Sequence, residues 1–119
     1  MARDIDLEYY QTLAKLPAQY RTMDIFSLFV GHKKPPRLAH KDCKDWKWCF
    51  LFLLGNYNIS GIYLYYLNIF IQLQPGDLLV FNSHLIWHQA DQTVPVDKDR
   101  FSGVLTTHAG LLKRCNLLM

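Results

Sequence analysis

From residue 24 onward the apolar positions fall into short runs, each closed by glycine, proline or asparagine. Runs of that length bounded by turn residues have the dimensions of strands rather than helices. Residues 24–30, with Ile25, Phe26, Leu28, Phe29 and Val30, predict a strand closed by Gly31. Pro35 and Pro36 fix φ and disfavour helix in what precedes them, so an extended arm should run through Arg37 to His40 and Asp42. Residues 48–54 are apolar throughout and predict a central strand buried on both faces, ended by Gly55-Asn56. A turn over 58–61 leads to strands at 62–67 and 69–73, with Asn68 at the bend. Gln74-Pro75-Gly76-Asp77 has turn chemistry: proline presets φ and glycine accepts a positive one. Further strands are expected at 78–81, 85–90 and 100–107, the last two separated by a polar loop over 91–99 that holds Pro95. Gly110 should end the last strand.

Ahead of these runs the period changes. Ile5, Tyr9, Leu13 and Leu16 recur at roughly helical spacing behind Asp4 or Asp6 as a cap, and Pro17 stops the pattern. About eight short strands with no helix after residue 24 predict a mainly β chain, an antiparallel sandwich or jelly roll, with a short N-terminal helix packed on one sheet face. Residues 1–23 read as helix and linker, and 24–119 as the β domain.

Composition sharpens this in a few places. With 119 residues, half of them hydrophobic and 19% charged, the chain is a single globular domain with a real core. The net charge of +3 is mild, but its distribution is uneven. His32, Lys33, Lys34, Arg37, Lys41, Lys44 and Lys47 crowd around the arm against only Asp42 and Asp45. This is either a solvated rim or a basic mouth for an anionic co-substrate or a polyanion. Cys43, Cys49 and Cys115 are odd in number and form no Cys-x-x-Cys pair, which speaks against a disulfide scaffold and for an intracellular, reducing setting. Met1-Ala2-Arg3-Asp4 does not open a signal peptide. The Tyr-rich run over 62–73 is broken by Asn68 and Gln72 and is too short and polar for a membrane span.

The candidate chemistry begins on the arm. In extended backbone, side chains two residues apart share a face, so His40 and Asp42 point the same way. An imidazole and a carboxylate so placed are two-thirds of the 2-His-1-carboxylate set that holds non-haem Fe(II) with positions left open. His84 and His88 can each supply the second imidazole; His88 is the choice. Its support is Arg100 and Ser102, twelve and fourteen residues later (100 − 88 and 102 − 88), which share one face of a strand. A guanidinium fork and a hydroxyl together suit a carboxylate, so the pocket could take a dicarboxylate with one end on the metal and the other on Arg100.

The ordered set His40-x-Asp42, His88, Arg100-x-Ser102 resembles the Fe(II)- and 2-oxoglutarate-dependent dioxygenases, whose fold is the double-stranded β-helix, a distorted jelly roll. Leu54-Gly55, Ser60-Gly61 and Pro75-Gly76-Asp77 match further features of that family, and the likeness spans residues 24–110. It implies that His40, Asp42 and His88 ligate Fe(II), and that Arg100 with Ser102 binds the distal carboxylate of 2-oxoglutarate. It also implies that O2 is consumed, succinate and CO2 released, and a substrate hydroxylated. Asp45 stands where many branches carry Asn, and family members are usually far longer, with N-terminal helices that this chain has only in part. The ending Thr106-Thr107-His108-Ala109-Gly110-Leu111-Leu112 is similar to uncharacterised fungal members related to TET/JBP-type nucleobase oxygenases, which makes nucleic acid a candidate partner.

Rival readings stay open at this stage. The chain could be a catalytically silent jelly-roll binding domain or a fragment of a larger protein. A cupin-type metal enzyme is disfavoured because the usual His-x-His pair with a following Glu is absent. Trp46, Trp48 and Trp87 suit packing, or stacking on a planar substrate. Tyr63 and Tyr65 suit the core, or contact with a co-substrate. His32 and His108 read as structural or exposed, and Arg100 could instead pair with Asp97 or Asp99.

Overall fold

The run that is apolar on both faces becomes the middle of a sheet. In the computed structural model, which describes residues 2–22, 26–32, 38–56, 60–91 and 99–118, strand β2 (Cys49–Asn56) is hydrogen-bonded on both sides. Its neighbours are β7 (Asp99–Thr106) and β5 (Leu78–Phe81), and β1 (Leu28–His32) pairs with the far side of β7. This four-stranded sheet has the order β1-β7-β2-β5 and is antiparallel throughout. A second antiparallel sheet has the order β4-β3-β6, from β4 (Ile69–Leu73), β3 (Ser60–Leu64) and β6 (His88–Ala90). His40 adds itself to the free side of β6 as a single antiparallel pair with His88. The arm thus stands in an eighth strand position and brings both sheets to four members. The architecture is a jelly roll, mainly β, with a short helical segment in front.

That segment is α1 (Ala2–Ile5) and α2 (Leu7–Ala14), followed by a single 3-10 turn at Ala18–Tyr20. Asp6 caps α2, its carboxylate accepting from the Tyr9 amide at 3.0 Å. Tyr9, Leu13 and Leu16 are buried on the large sheet, whereas Ile5, expected on the same stripe, is exposed because it belongs to α1. One core cluster forms here from Tyr9, Leu13, Leu16, Phe26, Phe50 and Leu112. Phe26 meets Phe50 edge-on at 4.9 Å, and Tyr9 stacks on Trp46 at 5.4 Å. Complete burial of Phe50 contributes about 2–3 kcal/mol. The second cluster lies between the sheets: Cys49, Leu51 and Leu53 from β2 with Phe81, Ile62, Leu64 and Leu73. Alternation along β2 therefore sends Phe50 to the helices and its neighbours to the interior.

Several boundaries differ from the sequence reading. Gly31 lies inside β1, opposite Gly103 of β7, rather than ending the strand. A Cβ at Gly31 would stand 2.7 Å from Phe101 Cζ, and one at Gly103 would collide with the Phe52 ring, so this glycine pair makes room for two phenyl rings on the outer face. Gly55 and Asn56 likewise continue β2, opposite Arg100 and Asp99. Tyr65, Tyr66 and Leu67 leave the strand for a turn that Asn68 closes at φ 52, a value asparagine tolerates. Leu85 and Ile86 are turn rather than strand because both amides bond the Asn82 carbonyl, at 3.2 Å each. Gln74–Asp77 turns as expected, with Gly76 at φ 92. A helix, α3 (Ala109–Arg114), stands where none was expected. Gly110 faces open space on its outer side, and Leu112 is driven fully into the helix-side core. No helix among the described residues is long and apolar enough to cross a membrane. The expected turn residue Asn58, the basic residues Lys33, Lys34 and Arg37, the prolines Pro35, Pro36 and Pro95, and Asp97 lie outside the described residues, as do the first residues of the first predicted strand.

Candidate metal centre and cavity

Between the sheets lies a cavity of about 470 Å³. The large sheet contributes Leu28, Val30, Cys49, Leu51, Leu53, Arg100, Ser102, Val104 and Thr106, which all alternate onto one face. Register explains their meeting: Val30 stands opposite Val104, Leu51 opposite Val104, and Leu53 opposite Ser102. The small sheet adds Ile62, His88 and Ala90, and the arm adds His40, Lys41, Asp42, Cys43, Lys44 and Asp45.

At one end of this cavity His40, Asp42 and His88 present donor atoms that all lie within 4.8 Å of one another. His88 Nε2 is 3.3 Å from Asp42 Oδ2, and His40 Nε2 is 3.7 Å from Asp42 Oδ1. The two imidazole rings are 4.4 Å apart. Backbone holds the rings in place, since His40 N donates to His88 O and His88 N to His40 O, both at 2.9 Å. Side-chain contacts then orient them. His88 Nδ1 is 2.8 Å from the Ile86 carbonyl and His40 Nδ1 is 3.1 Å from the Leu38 carbonyl. A carbonyl only accepts, so in each neutral ring the proton sits on Nδ1 and the Nε2 lone pair is left facing Asp42. Holding the far ring nitrogen on a carbonyl is how metal-binding histidines are commonly fixed. His88 is buried against the edge of Phe81, at 5.0 Å, whereas His40 and Asp42 are more than a third exposed on the cavity's open side. Two imidazole nitrogens and one carboxylate suit Fe(II) or a similar divalent ion, so the residues fit the metal that the sequence resemblance implies. His84 is outside the group, with Nδ1 2.9 Å from Asn82 Oδ1.

Arg100 and Ser102, each 6% exposed, line the same cavity from β7. Arg100 Nε donates to Ser60 Oγ at 2.8 Å, a bond that joins the two sheets and sets the guanidinium plane. Asp97, and the side chain of Asp99, the other partners considered for Arg100, are outside the described structure. Ser60 is fully buried, and its contact with Arg100 was not readable in the sequence, where a partner forty positions on gives no local signal.

A third set was also missed. Asp45 is 6% exposed, accepts from Ser83 Oγ at 2.9 Å, and has His108 Nε2 3.5 Å away. Burial pushes its carboxyl above the usual carboxylate range, and the Asp42 charge adds to this, against the Ser83 hydrogen bond. His108, expected to be structural or exposed, is partly exposed and lines the cavity.

Other candidates resolve into packing. Trp46 belongs to the helix-side core, and Trp48 Nε1 donates to Asp6 Oδ2 at 3.0 Å. Tyr63 and Tyr65 do not face the cavity. Tyr63 packs against Phe70 at 4.6 Å on the outer face of the small sheet, and Tyr65 hydroxyl bonds Gln89. Of the tryptophans only Trp87 stands half-exposed near the arm, with Lys41 Nζ 5.4 Å above its ring. Lys47 is drawn to Asp6 and Glu8 at 3.3 and 3.5 Å, which leaves Lys41 and Lys44 as the described lysines that line the cavity. Cys43 is exposed, and burial pushes the Cys49 thiol up, as suits a packed residue.

No protein-family model and no curated protein sequence matches the chain. Among solved structures, the chain is similar to NgTET1, determined in complex with 5mC DNA, with a TM-score of 0.72 and 24% sequence identity. The fold is shared. The match covers 86% of this chain and 42% of that one, so this chain spans less than half of its neighbour's length.

Proposed function

We propose that the chain is an Fe(II)- and 2-oxoglutarate-dependent oxygenase domain. The observation that carries this reading is the convergence of His40, Asp42 and His88 at one end of a cavity that Arg100 and Ser102 line from the opposite sheet. In this reading Nε2 of His40, Nε2 of His88 and the Asp42 carboxylate hold the metal. Arg100, oriented by Ser60, binds the distal carboxylate of 2-oxoglutarate with its guanidinium fork, and Ser102 adds a hydroxyl donor. The bound metal and co-substrate supply oxidative chemistry with O2, in which 2-oxoglutarate becomes succinate and CO2 and a substrate is hydroxylated. The protein's own contribution is to orient and to exclude water. Leu51, Leu53, Ile62 and Val104 make an apolar wall around the Arg100 end, where a carboxylate–guanidinium contact gains strength as water is removed.

A buried, cavity-lining Arg100 favours this reading over a cupin-type enzyme, which has no need of a carboxylate anchor there. The substrate reading that the surroundings favour is a nucleic-acid base. NgTET1 was solved with 5mC DNA, and here Lys41 and Lys44 line the cavity beside the half-exposed Trp87, a cation and an aromatic face of the kind that engage phosphate and base.

The test is an anaerobic titration with Fe(II) and 2-oxoglutarate, followed by a succinate assay in air. A visible charge-transfer band and turnover, both lost in His88→Ala, are the expected result. Neither band nor succinate from the folded wild-type chain would leave a silent jelly-roll binding domain as the better reading.

A further inference from the structure

The cavity uses the inner face of the small sheet, and the outer face of that sheet carries a pattern of its own. Alternation turns Tyr63, Phe70 and Gln89 outward, because Ile62, Leu64, Ile71 and His88 take the inner side. The pattern runs on past the strand ends. Tyr65 N donates to Trp87 O at 2.9 Å, one step beyond the Leu64–His88 pair. On the other side of β6, His40 pairs with His88, which places Lys41 beside Trp87. Tyr65, Trp87 and Lys41 therefore continue the outer face of Tyr63 and Phe70. The ring contacts agree: Tyr63 meets Phe70 at 4.6 Å and Tyr65 at 6.3 Å, and Lys41 Nζ stands 5.4 Å over the Trp87 ring. Phe70 lies along the sheet rather than standing off it, since a Cβ at Gly61 would be 2.7 Å from its Cζ. The four rings are each between 39% and 50% exposed. No Asp, Glu, Lys or Arg occurs from Ser60 to Gly76 or from Leu78 to Ala90, so the strip is uncharged up to Lys41. Cross-strand pairing accounts for Tyr63 with Phe70, but not for a run of half-exposed rings that continues to the rim of the cavity.

We propose that this strip is a stacking platform for single-stranded nucleic acid, leading a strand from Phe70 across Tyr63, Tyr65 and Trp87 to Lys41 at the mouth of the cavity. The proposal rests on the nucleic-acid reading above and extends it: the cavity takes one base, and the strip holds the strand beside it. Lys41 joins the two, because it both lines the cavity and covers the Trp87 ring. Every base has a π face, so rings in a row hold a strand whatever its sequence, provided that its bases are unstacked. In a duplex each base is covered by its neighbours, and a protein reaches only phosphates and groove edges. One lysine on the strip is a poor match to the dense charge of a duplex. The span also fits. From β4 to the arm is three strand spacings, about 14 Å, room for the two or three bases that an aromatic sheet face stacks.

The test uses the full chain without metal and a short fluorescent oligothymidylate, read by anisotropy, with the matching duplex in parallel. The wild-type chain should bind the single strand at least about 10-fold more tightly than the duplex. Tyr63→Val and Phe70→Val remove the two rings farthest from the cavity and keep a strand-favouring residue. Each should weaken binding roughly 10-fold, as expected for one lost stacked base. Tyr63→Phe keeps the ring and should bind within a few-fold of wild type, while Phe70→Val decides if Tyr63→Val fails to fold. Affinity should fall only shallowly with salt, with a logarithmic slope no steeper than about −1.4, because one or two lysines displace counterions at about 0.7 each. Wild-type affinity in the folded valine variants would overturn the platform and leave the cavity reading standing. So would tighter binding to the duplex, or a slope several-fold steeper, which would place the binding on charge. A wild-type dimer that is lost in Tyr63→Val, without oligonucleotide binding, would overturn it as well and give the face to a second copy of the chain. No oligonucleotide binding by a wild-type chain that still takes up Co(II) would defeat the nucleic-acid reading, and this inference with it, while leaving the metal site in place.

Discussion

The two faces of the large sheet use the same strands for opposite ends. On the helix side, Phe50 meets Phe26, Tyr9, Leu13 and Leu112 in an apolar cluster whose buried Tyr9 hydroxyl donates to the Trp48 carbonyl at 3.4 Å. On the inner side, one residue along β2 in either direction, Cys49 and Leu51 border a cavity with Asp45, His88, Arg100 and Ser102 around it, all buried and all polar. Close packing on one face supplies stability. The other face gives up packing for space and for polar groups that are costly to bury. The division implies that stability and ligand binding can be damaged separately, although the responsible residues are neighbours in sequence.

The largest effect should come from the sealed face. Phe50→Ala is expected to cost about 3–5 kcal/mol, a large part of a domain's whole stability, read by chemical denaturation, while Co(II) affinity of the folded fraction stays near wild type. A change in affinity as large as the change in stability would erase the distinction between the faces. Next, Asp42→Ala removes one of the three proposed metal ligands. It should lower Co(II) affinity by more than about 100-fold with little change in thermal midpoint, because Asp42 is more than a third exposed. Arg100→Met should follow, weakening 2-oxoglutarate binding to the Fe(II)-loaded chain by roughly 10- to 100-fold, as expected for a lost charge-assisted contact, with metal affinity unchanged.

The smallest effect lies at the edge of the sealed face. Asp6→Ala removes the cap of α2 and should cost about 1 kcal/mol at neutral pH. Hydrogen bonds from Trp48 and then from the Tyr9 amide hold the Asp6 carboxyl below its usual range. The folded state therefore favours the ionised form, and the stabilisation is present above the unfolded carboxylate pKa. It is lost as pH falls through about 4 and below, where the folded state must also take up the proton. The gap between Asp6→Ala and wild type in denaturation midpoints should accordingly narrow in acid. A gap that held constant would assign the effect to packing.

Period and turn chemistry made most of the architecture legible in the chain. The both-face apolar run at 48–54 became a central strand, Pro75-Gly76 became a turn, and helical spacing placed Tyr9, Leu13 and Leu16 on one stripe. The misses have physical causes. Gly31 was read as a stop, yet opposite Gly103 it serves as a seat for phenyl rings, which only the pairing reveals. Gly110 hid α3, because a glycine on the exposed side of a short helix is tolerated when Leu112 is fully buried behind it. Among the residues that line the cavity, the shared facing of His40 and Asp42 was readable because two-residue spacing has a geometric meaning, and that of Arg100 and Ser102 for the same reason. The contacts of Ser60 and Ser83 were not, since a buried serine is recognised by the partner it meets, and theirs lie forty and thirty-eight positions away.

The reciprocal pair between His40 and His88 also bears on the order of folding. Those two residues are forty-eight positions apart (88 − 40), whereas the β3–β4 hairpin closes over a four-residue turn. Short loops close early and long ones late, because closure entropy grows with the span. The hairpin should therefore form well before the arm docks, while the pairing of β1 with β7, whose partners stand seventy or more positions apart (102 − 32 and 106 − 28), spans more chain still. The three proposed ligands thus depend on contacts of long span, and a divalent ion held there would find its site unformed while the hairpin closes. Interactions absent from the transition state slow unfolding without changing the refolding rate, so the bound ion should lengthen the life of the folded chain rather than speed its formation.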